Sequence, residues 1–174
     1  MQRLLVEIKA RCRDATIVRA YLQAQQAEYR GRDHQIDTYF MVPEGRLKLR
    51  EGNIEKSLIF YRRPDQPGPK DSQVSLCRFA EVPDALSEVL TTALGTKVIV
   101  DKQRDIYFIG NVKFHIDEVK GLGSFMEIEA IGQPGVDQQA DLLAQCEHYL
   151  RELNVAESDL VANSYADLLL EQDA

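Results

Sequence analysis

The sequence predicts an α+β fold: a closed eight-stranded antiparallel β-barrel with helices packed outside it. Three observations predict it. Eight short segments alternate apolar and polar residues with period two, the mark of strands that bury one face. Several links between them are too short for the crossover that parallel neighbours require, so the sheet is antiparallel. Three further segments and a short fourth carry apolar residues at helical spacing behind capping residues, and these supply the outer layer.

The elements follow in chain order. Residues 3–11 form the first strand, where Val6, Ile8 and Ala10 alternate with Glu7, Lys9 and Arg11. A helix over 15–27 starts behind Asp14, whose carboxylate can take an orphan N–H of the first turn. Strands over 35–40, 46–50 and 56–61 are separated by Pro43-Glu44-Gly45 and Glu51-Gly52-Asn53, residues that turns favour. Residues 62–72 are a loop punctuated by proline and glycine, which interrupts a domain without dividing it. A strand over 74–79 precedes a helix over 85–94 that opens on Pro83-Asp84. Strands over 98–109, 112–119 and 125–131 are joined by Gly110-Asn111 and Gly121-Leu122-Gly123. A helix over 138–153 after Asp137 and a short one over 165–170 after Ser164 end the chain.

No internal repeat or low-complexity tract appears, and 174 residues suit one domain spanning 1–174. A net charge of −7 argues against a surface that coats nucleic acid or an anionic membrane, so any anion must bind in a local basic pocket. Cys12, Cys77 and Cys146 are odd in number and far apart, which offers neither a disulfide framework nor a zinc spacing. No apolar stretch approaches the roughly 20 residues of a bilayer span, and the first residues lack a signal-peptide core. The cytoplasm is the expected address, and an exposed helix face leaves room for a homodimer.

Residues two apart on a strand share a face, and on five strands one face is charged. Glu7, Lys9 and Arg11 share one; Arg46, Lys48 and Arg50 another; then Lys102 with Arg104, Lys113 with His115 and Asp117, and Glu127 with Glu129. Such a face is either the wet side of an open sheet or the lining of a closed barrel of about eight strands. The second reading demands a ligand of matching charge, because buried ions are costly when unpaired. Clustered lysine and arginine suit phosphate oxygens. Glu7, Asp117, Glu127 and Glu129 suit a hard cation held by oxygen, Mg2+ or Mn2+, which also bridges phosphates. Together they describe a polyphosphate site.

The same residues carry a family resemblance. Val6-Glu7-Ile8-Lys9-Ala10, Asp37-Thr38-Tyr39-Phe40, Arg46-Leu47-Lys48-Leu49-Arg50, Lys102-Gln103-Arg104 with Tyr107, Phe114-His115-Ile116-Asp117 and the run from Gly121 to Glu129 occur in the order of the CYTH superfamily, ending with Ser164-Tyr165. The chain resembles that group of class IV adenylyl cyclases, thiamine triphosphatases and related triphosphate tunnel enzymes. The resemblance implies Glu7, Asp117 and Glu127 around a divalent metal, with Glu129 in support. It implies Lys9, Lys48, Arg50, Lys102 and Arg104 on the phosphates, with Arg46, His115 and Tyr39 as secondary candidates. Lys9, Asp117 and Arg104 are the expected catalytic residues.

Two departures stand out. The family's opening motif has glutamate two residues before Glu7, where this chain has Leu5, so one metal ligand is missing. The strand ending Leu58-Ile59-Phe60-Tyr61 lacks the family's phosphate-binding lysine, for which Arg62, Arg63 or Lys70 could substitute. The stretch from Lys102 to Glu129 is most similar to the adenylyl cyclase branch. The implied partner is a nucleoside triphosphate or another organic or inorganic triphosphate. The implied reaction is ATP to cyclic AMP and pyrophosphate, with triphosphate hydrolysis, triphosphate binding without turnover, and a plain interaction barrel as alternatives.

Overall fold

The computed structural model describes residues 4–62, 70–71 and 73–174. The strands are β1 (Leu4–Arg11), β2 (Glu28–Phe40), β3 (Arg46–Gly52), β4 (Lys56–Arg62), β5 (Lys70–Asp71), β6 (Gln73–Arg78), β7 (Thr96–Ile109), β8 (Val112–Val119) and β9 (Gly123–Gly132). The helices are α1 (Ala15–Ala24), α2 (Leu86–Leu94), α3 (Gln139–Glu152) and α4 (Tyr165–Gln172). All ladders are antiparallel, in the order β5-β1-β9-β8-β7-β2-β3-β4-β6.

The barrel is not closed, contrary to the sequence expectation: the sheet has two ends and curls into a half-barrel. Closure needs a continuous ladder with a fixed stagger between the first and last strands. Here β1 reaches across only through Val6↔Asp71 and Glu7↔Lys70, a ladder two residues long. The sequence between β4 and β5 carries Pro64, Pro67 and Pro69, which have no N–H to give to a ladder.

Alternation sorts the faces. Val6, Ile8 and Ala10 of β1, Val112, Phe114 and Ile116 of β8, and Met126, Ile128 and Ala130 of β9 form the convex core. Val18 and Leu22 of α1 and Leu142 and Cys146 of α3 pack onto it. Emptying a site such as the fully buried Leu22 by alanine costs about 2–5 kcal/mol. With its apolar side covered by helices, the sheet turns its charged side inward. A second cluster plugs one end, where Tyr165 and Ala166 of α4 meet Tyr39, Tyr61, Val100, Val119 and Phe125.

Helix starts agree with the sequence in two of three caps. Asp14 accepts from the Thr16 N–H at 2.9 Å, and Ser164 forms a capping box with Asp167. Asp137 does not cap α3, because its carboxylate accepts from the Gln133 N–H at 2.7 Å instead. Strand β2 begins seven residues earlier than the alternation indicated, at Glu28 rather than 35. A bulge between Tyr29 and Gly31 hides that extension: the extra residue reverses the alternation, so Arg30 and Asp37 face the same side. Gly31 is required there, since its φ of +120° is open only to glycine and a Cβ would stand 3.0 Å from the Ile54 side chain.

Candidate functional site

The concave side of the half-barrel encloses a cavity of about 790 Å3. Its lining is zoned along the strands. Leu5, Leu76, Phe79, Ile106, Phe108 and Ile131, from the start of β1 and the ends of β6, β7 and β9, make an apolar mouth. Mid-strand positions make a charged waist of Glu7, Lys9, Lys48, Arg50, Lys102 and Arg104, with Glu127 and Glu129. At the far end α4 sets Ser164 and Tyr165 against the waist.

The waist is organised around buried carboxylates. Asp37 of β2 accepts from Lys48 Nζ at 2.8 Å, Arg50 Nε and Nη2 at 2.8 and 2.9 Å, and Lys102 Nζ at 2.8 Å. Burial alone would raise the Asp37 carboxyl, but Arg50, Lys102 and Lys48 outweigh it and hold it well below the usual range. Lys102 moves the other way. Burial, with Arg50, Arg104 and Lys48 close by, lowers its ammonium to about 7 against the pull of Asp37.

Arg104 anchors a second cluster. It donates to both oxygens of Asp117, at 2.7 and 2.6 Å, and to Glu127 Oε2 at 2.9 Å. The Tyr165 hydroxyl donates to Asp117 at 2.7 Å, while Lys9 lies 3.4 Å and His115 Nδ1 2.9 Å from Glu127. Burial pushes Glu127 upward, yet Arg104, Lys9 and His115 keep it well below the ordinary carboxylate value. A third carboxylate enters from the β3–β4 turn, where Glu55 accepts from Arg50 Nη1 at 3.0 Å, Gln35 Nε2 at 3.2 Å and Lys113 Nζ. That turn is held by Asp33, whose oxygens accept from the Ile54 and Glu55 N–H groups at 2.8 and 2.9 Å.

Glu7 and Glu129 stand directly opposite each other on β1 and β9. Burial raises the Glu129 carboxyl to about 7; Lys113 opposes this, and Glu7, Glu127 and Glu55 add to it. This is carboxylate charge gathered without enough cation to balance it. Such donors fit a hard divalent ion, since Mg2+ is usually held by one or two carboxylates with phosphates and water completing its shell. Among the described residues no three acidic or histidine side chains form a complete ligand set. The donor chemistry therefore suits an ion completed by its ligand.

Eight of the ten residues expected from the sequence line the cavity: Glu7, Lys9, Lys48, Arg50, Lys102, Arg104, Glu127 and Glu129. Asp117 lies behind the wall, fully buried, with its oxygens taken by Arg104 and Tyr165. Arg46 points away and binds Asp167 of α4 at 2.7 Å. Tyr39 lines the waist, with Lys48 Nζ 3.3 Å from its hydroxyl. Of the loop cations, Arg62 pairs with Glu44 at 2.9 Å, whereas Arg63 and the Lys70 side chain lie outside the described residues. Leu5 faces the cavity opposite Ile131, so the missing acid is part of the apolar mouth.

Sequence reasoning gave no role to Asp37, Glu55 or Tyr165. Asp37 left a trace, an acid two residues from Tyr39 on a strand that alternates. Glu55 left none, because a turn glutamate looks the same whether it points to solvent or into a cavity.

Comparison with known proteins agrees with this architecture. The adenylate cyclase CyaB of Aeromonas hydrophila is 29% identical over 181 residues, covering 95% of this chain and 88% of that protein. The structure of PH1012 from Pyrococcus horikoshii superposes with a TM-score of 0.82 at 21% identity, over 97% of this chain and 99% of that one. HpAC1 from Hippeastrum, whose description joins adenylyl cyclase to a dominant triphosphatase activity, gives 0.65 at 14% identity over 99% and 96%. The CYTH domain matches residues 4–165, nearly the whole of the described sheet with its helices, and the chain belongs to the CYTH family.

Proposed function

We propose that this chain is a metal-dependent enzyme acting on an organic triphosphate, with conversion of ATP to cyclic AMP and pyrophosphate as the first reading. The zoned cavity carries it: a waist of lysine and arginine for phosphate oxygens adjoins an apolar mouth with two phenylalanines. Inorganic tripolyphosphate would leave that mouth uncovered. The relative named adenylate cyclase supports the reaction type.

Glu7 and Glu129 would hold Mg2+ or Mn2+, which supplies charge neutralisation on the phosphate oxygens. The chain's own residues do the rest. Lys48, Arg50 and Lys102 are pre-positioned by Asp37, and Arg104 by Asp117, so their N–H groups need little reorganisation to meet an anion. Lys9 adds a cation beside Glu127. The same ring can serve attack at the α-phosphorus or by water at the terminal phosphorus. Hydrolysis is the second reading, favoured by the triphosphatase activity named for the Hippeastrum protein.

The test is product analysis with Mg2+ or Mn2+ and ATP, GTP, thiamine triphosphate or tripolyphosphate. Faster turnover of organic substrates is expected, with cyclic nucleotide and pyrophosphate marking the cyclase and orthophosphate the hydrolase. Binding without turnover marks a receptor and overturns the enzyme reading. A preference for tripolyphosphate overturns the role given to the mouth. R104M is expected to remove activity by a factor on the order of 100 or more.

A further inference from the structure

Two buried side-chain atoms lack a hydrogen-bond partner among the described residues: Gln35 Oε1 and His115 Nε2. Gln35 does not line the cavity, and its amide nitrogen serves Asp33 and Glu55 beneath the β3–β4 turn. His115 does line it. A buried polar atom left unpaired costs stability, so one kept in a cavity wall calls for a ligand.

The chemistry of that ligand can be narrowed. His115 Nδ1 lies 2.9 Å from Glu127 Oε2. Glu127 is ionised and can only accept, so Nδ1 carries the hydrogen. Burial, with Arg104 and Lys113 nearby, keeps the ring neutral by lowering it to about 4. Nε2 is then a lone pair. Phosphate oxygens are acceptors as well and cannot satisfy it. A metal ion would meet the positive charge of Arg104 and Lys113 beside the ring. An O–H donor remains.

On the reading that the cavity binds a triphosphate, the O–H group such a site must hold is the nucleophile. We propose that His115 Nε2 accepts the hydrogen bond of the attacking O–H, a substrate hydroxyl or a water, and so orients it toward phosphorus, with Glu127 fixing the ring. Every other polar group of the waist is a cationic donor or a carboxylate. His115 is therefore the neutral acceptor of the site, and it selects for a hydroxyl or water where the cations select for phosphate.

The variants H115N and H115Q separate the two ring nitrogens. Asparagine keeps a donor to Glu127 and removes the acceptor, whereas glutamine returns a polar atom near the place of Nε2. In H115N kcat is expected to fall by about 10- to 100-fold, with KM and the affinity for a non-cleavable methylene-bridged triphosphate changed less than about threefold. H115Q should recover part of kcat. In the wild-type protein, 15N NMR should show Nε2 without a hydrogen and shift its resonance when the non-cleavable nucleotide binds. If H115N does not fold, H115Q and this resonance carry the test. Unchanged kcat, loss of nucleotide binding in step with turnover, a protonated Nε2, or broadening of that resonance by Mn2+ alone would each overturn the proposal. Failure of the triphosphate reading itself shows in the wild-type protein, as absence of nucleotide binding.

Discussion

Asp37 Oδ2 and Lys102 Nζ lie 2.8 Å apart with both side chains about 1% exposed, and Lys48 and Arg50 share the same carboxylate. One buried anion thus holds three cations that point into the cavity. Removing it leaves them uncompensated in a low-dielectric wall, which costs about 3–5 kcal/mol for a broken buried pair. D37A should therefore unfold at distinctly lower urea concentration than the parent. Added tripolyphosphate should restore more of the loss than it adds to the parent's stability, because the ligand takes the place of the missing anion. Equal stability of variant and parent would show that the cluster does not depend on Asp37.

Lys102 also sets a pH dependence. Its ammonium is lowered to about 7, so at neutral pH a substantial fraction is uncharged. For a base lowered on folding, the stability it contributes is present above its unfolded value near 10.5 and lost as pH falls toward 7. Ligand binding has the opposite sign. Phosphate favours the charged form, so binding takes up a proton near neutral pH and affinity falls as pH rises above about 7. Calorimetry in buffers of different ionisation enthalpy checks the proton uptake. K102M should abolish that part of it, and an unchanged proton count in K102M would remove Lys102 from the phosphate site.

Glu55 competes with any anionic ligand, because it holds Arg50 and Lys113 from the β3–β4 turn. Those pairs keep its carboxyl well below the ordinary value despite burial. E55Q removes the competing charge and keeps the shape. Triphosphate affinity should rise about three- to tenfold, equivalent to roughly 1 kcal/mol, when titrated at low salt. Weaker binding would mean that Glu55 helps to hold the ligand's cation.

These residues show what the sequence can and cannot carry. Glu7, Lys9, Lys48, Arg50, Lys102 and Arg104 were legible because a strand's period fixes which residues share a face, whatever closes around it. The antiparallel sheet was legible for the same reason. The open edge was not, since alternation within strands says nothing about how long a ladder joins the first strand to the last; that rested on the two-residue β5. The inward turn of Arg30 was hidden by the bulge at Gly31. Asp117 and Arg46 look like cavity residues in the pattern, but each finds its partners elsewhere: Asp117 behind the wall with Arg104 and Tyr165, Arg46 with Asp167 on a helix far along the chain.

Leu5 offers the sharpest test of how the mouth and the acidic corner divide the work. It lines the cavity one alternation before Glu7 and opposite Ile131, beside the pair Glu7 and Glu129. With Glu129 already raised to about 7 by burial and neighbouring carboxylates, a further acid there increases the unbalanced negative charge that a divalent ion relieves. L5E should bind Mn2+ about tenfold more tightly by calorimetry without nucleotide, through the added ligand charge. The same change places a carboxylate where the apolar head of an organic triphosphate would sit, so ATP should bind several-fold more weakly at saturating Mn2+ while tripolyphosphate is much less affected. Unchanged Mn2+ affinity would detach the acidic corner from metal binding, and equal effects on ATP and tripolyphosphate would detach the mouth from recognition of the organic group.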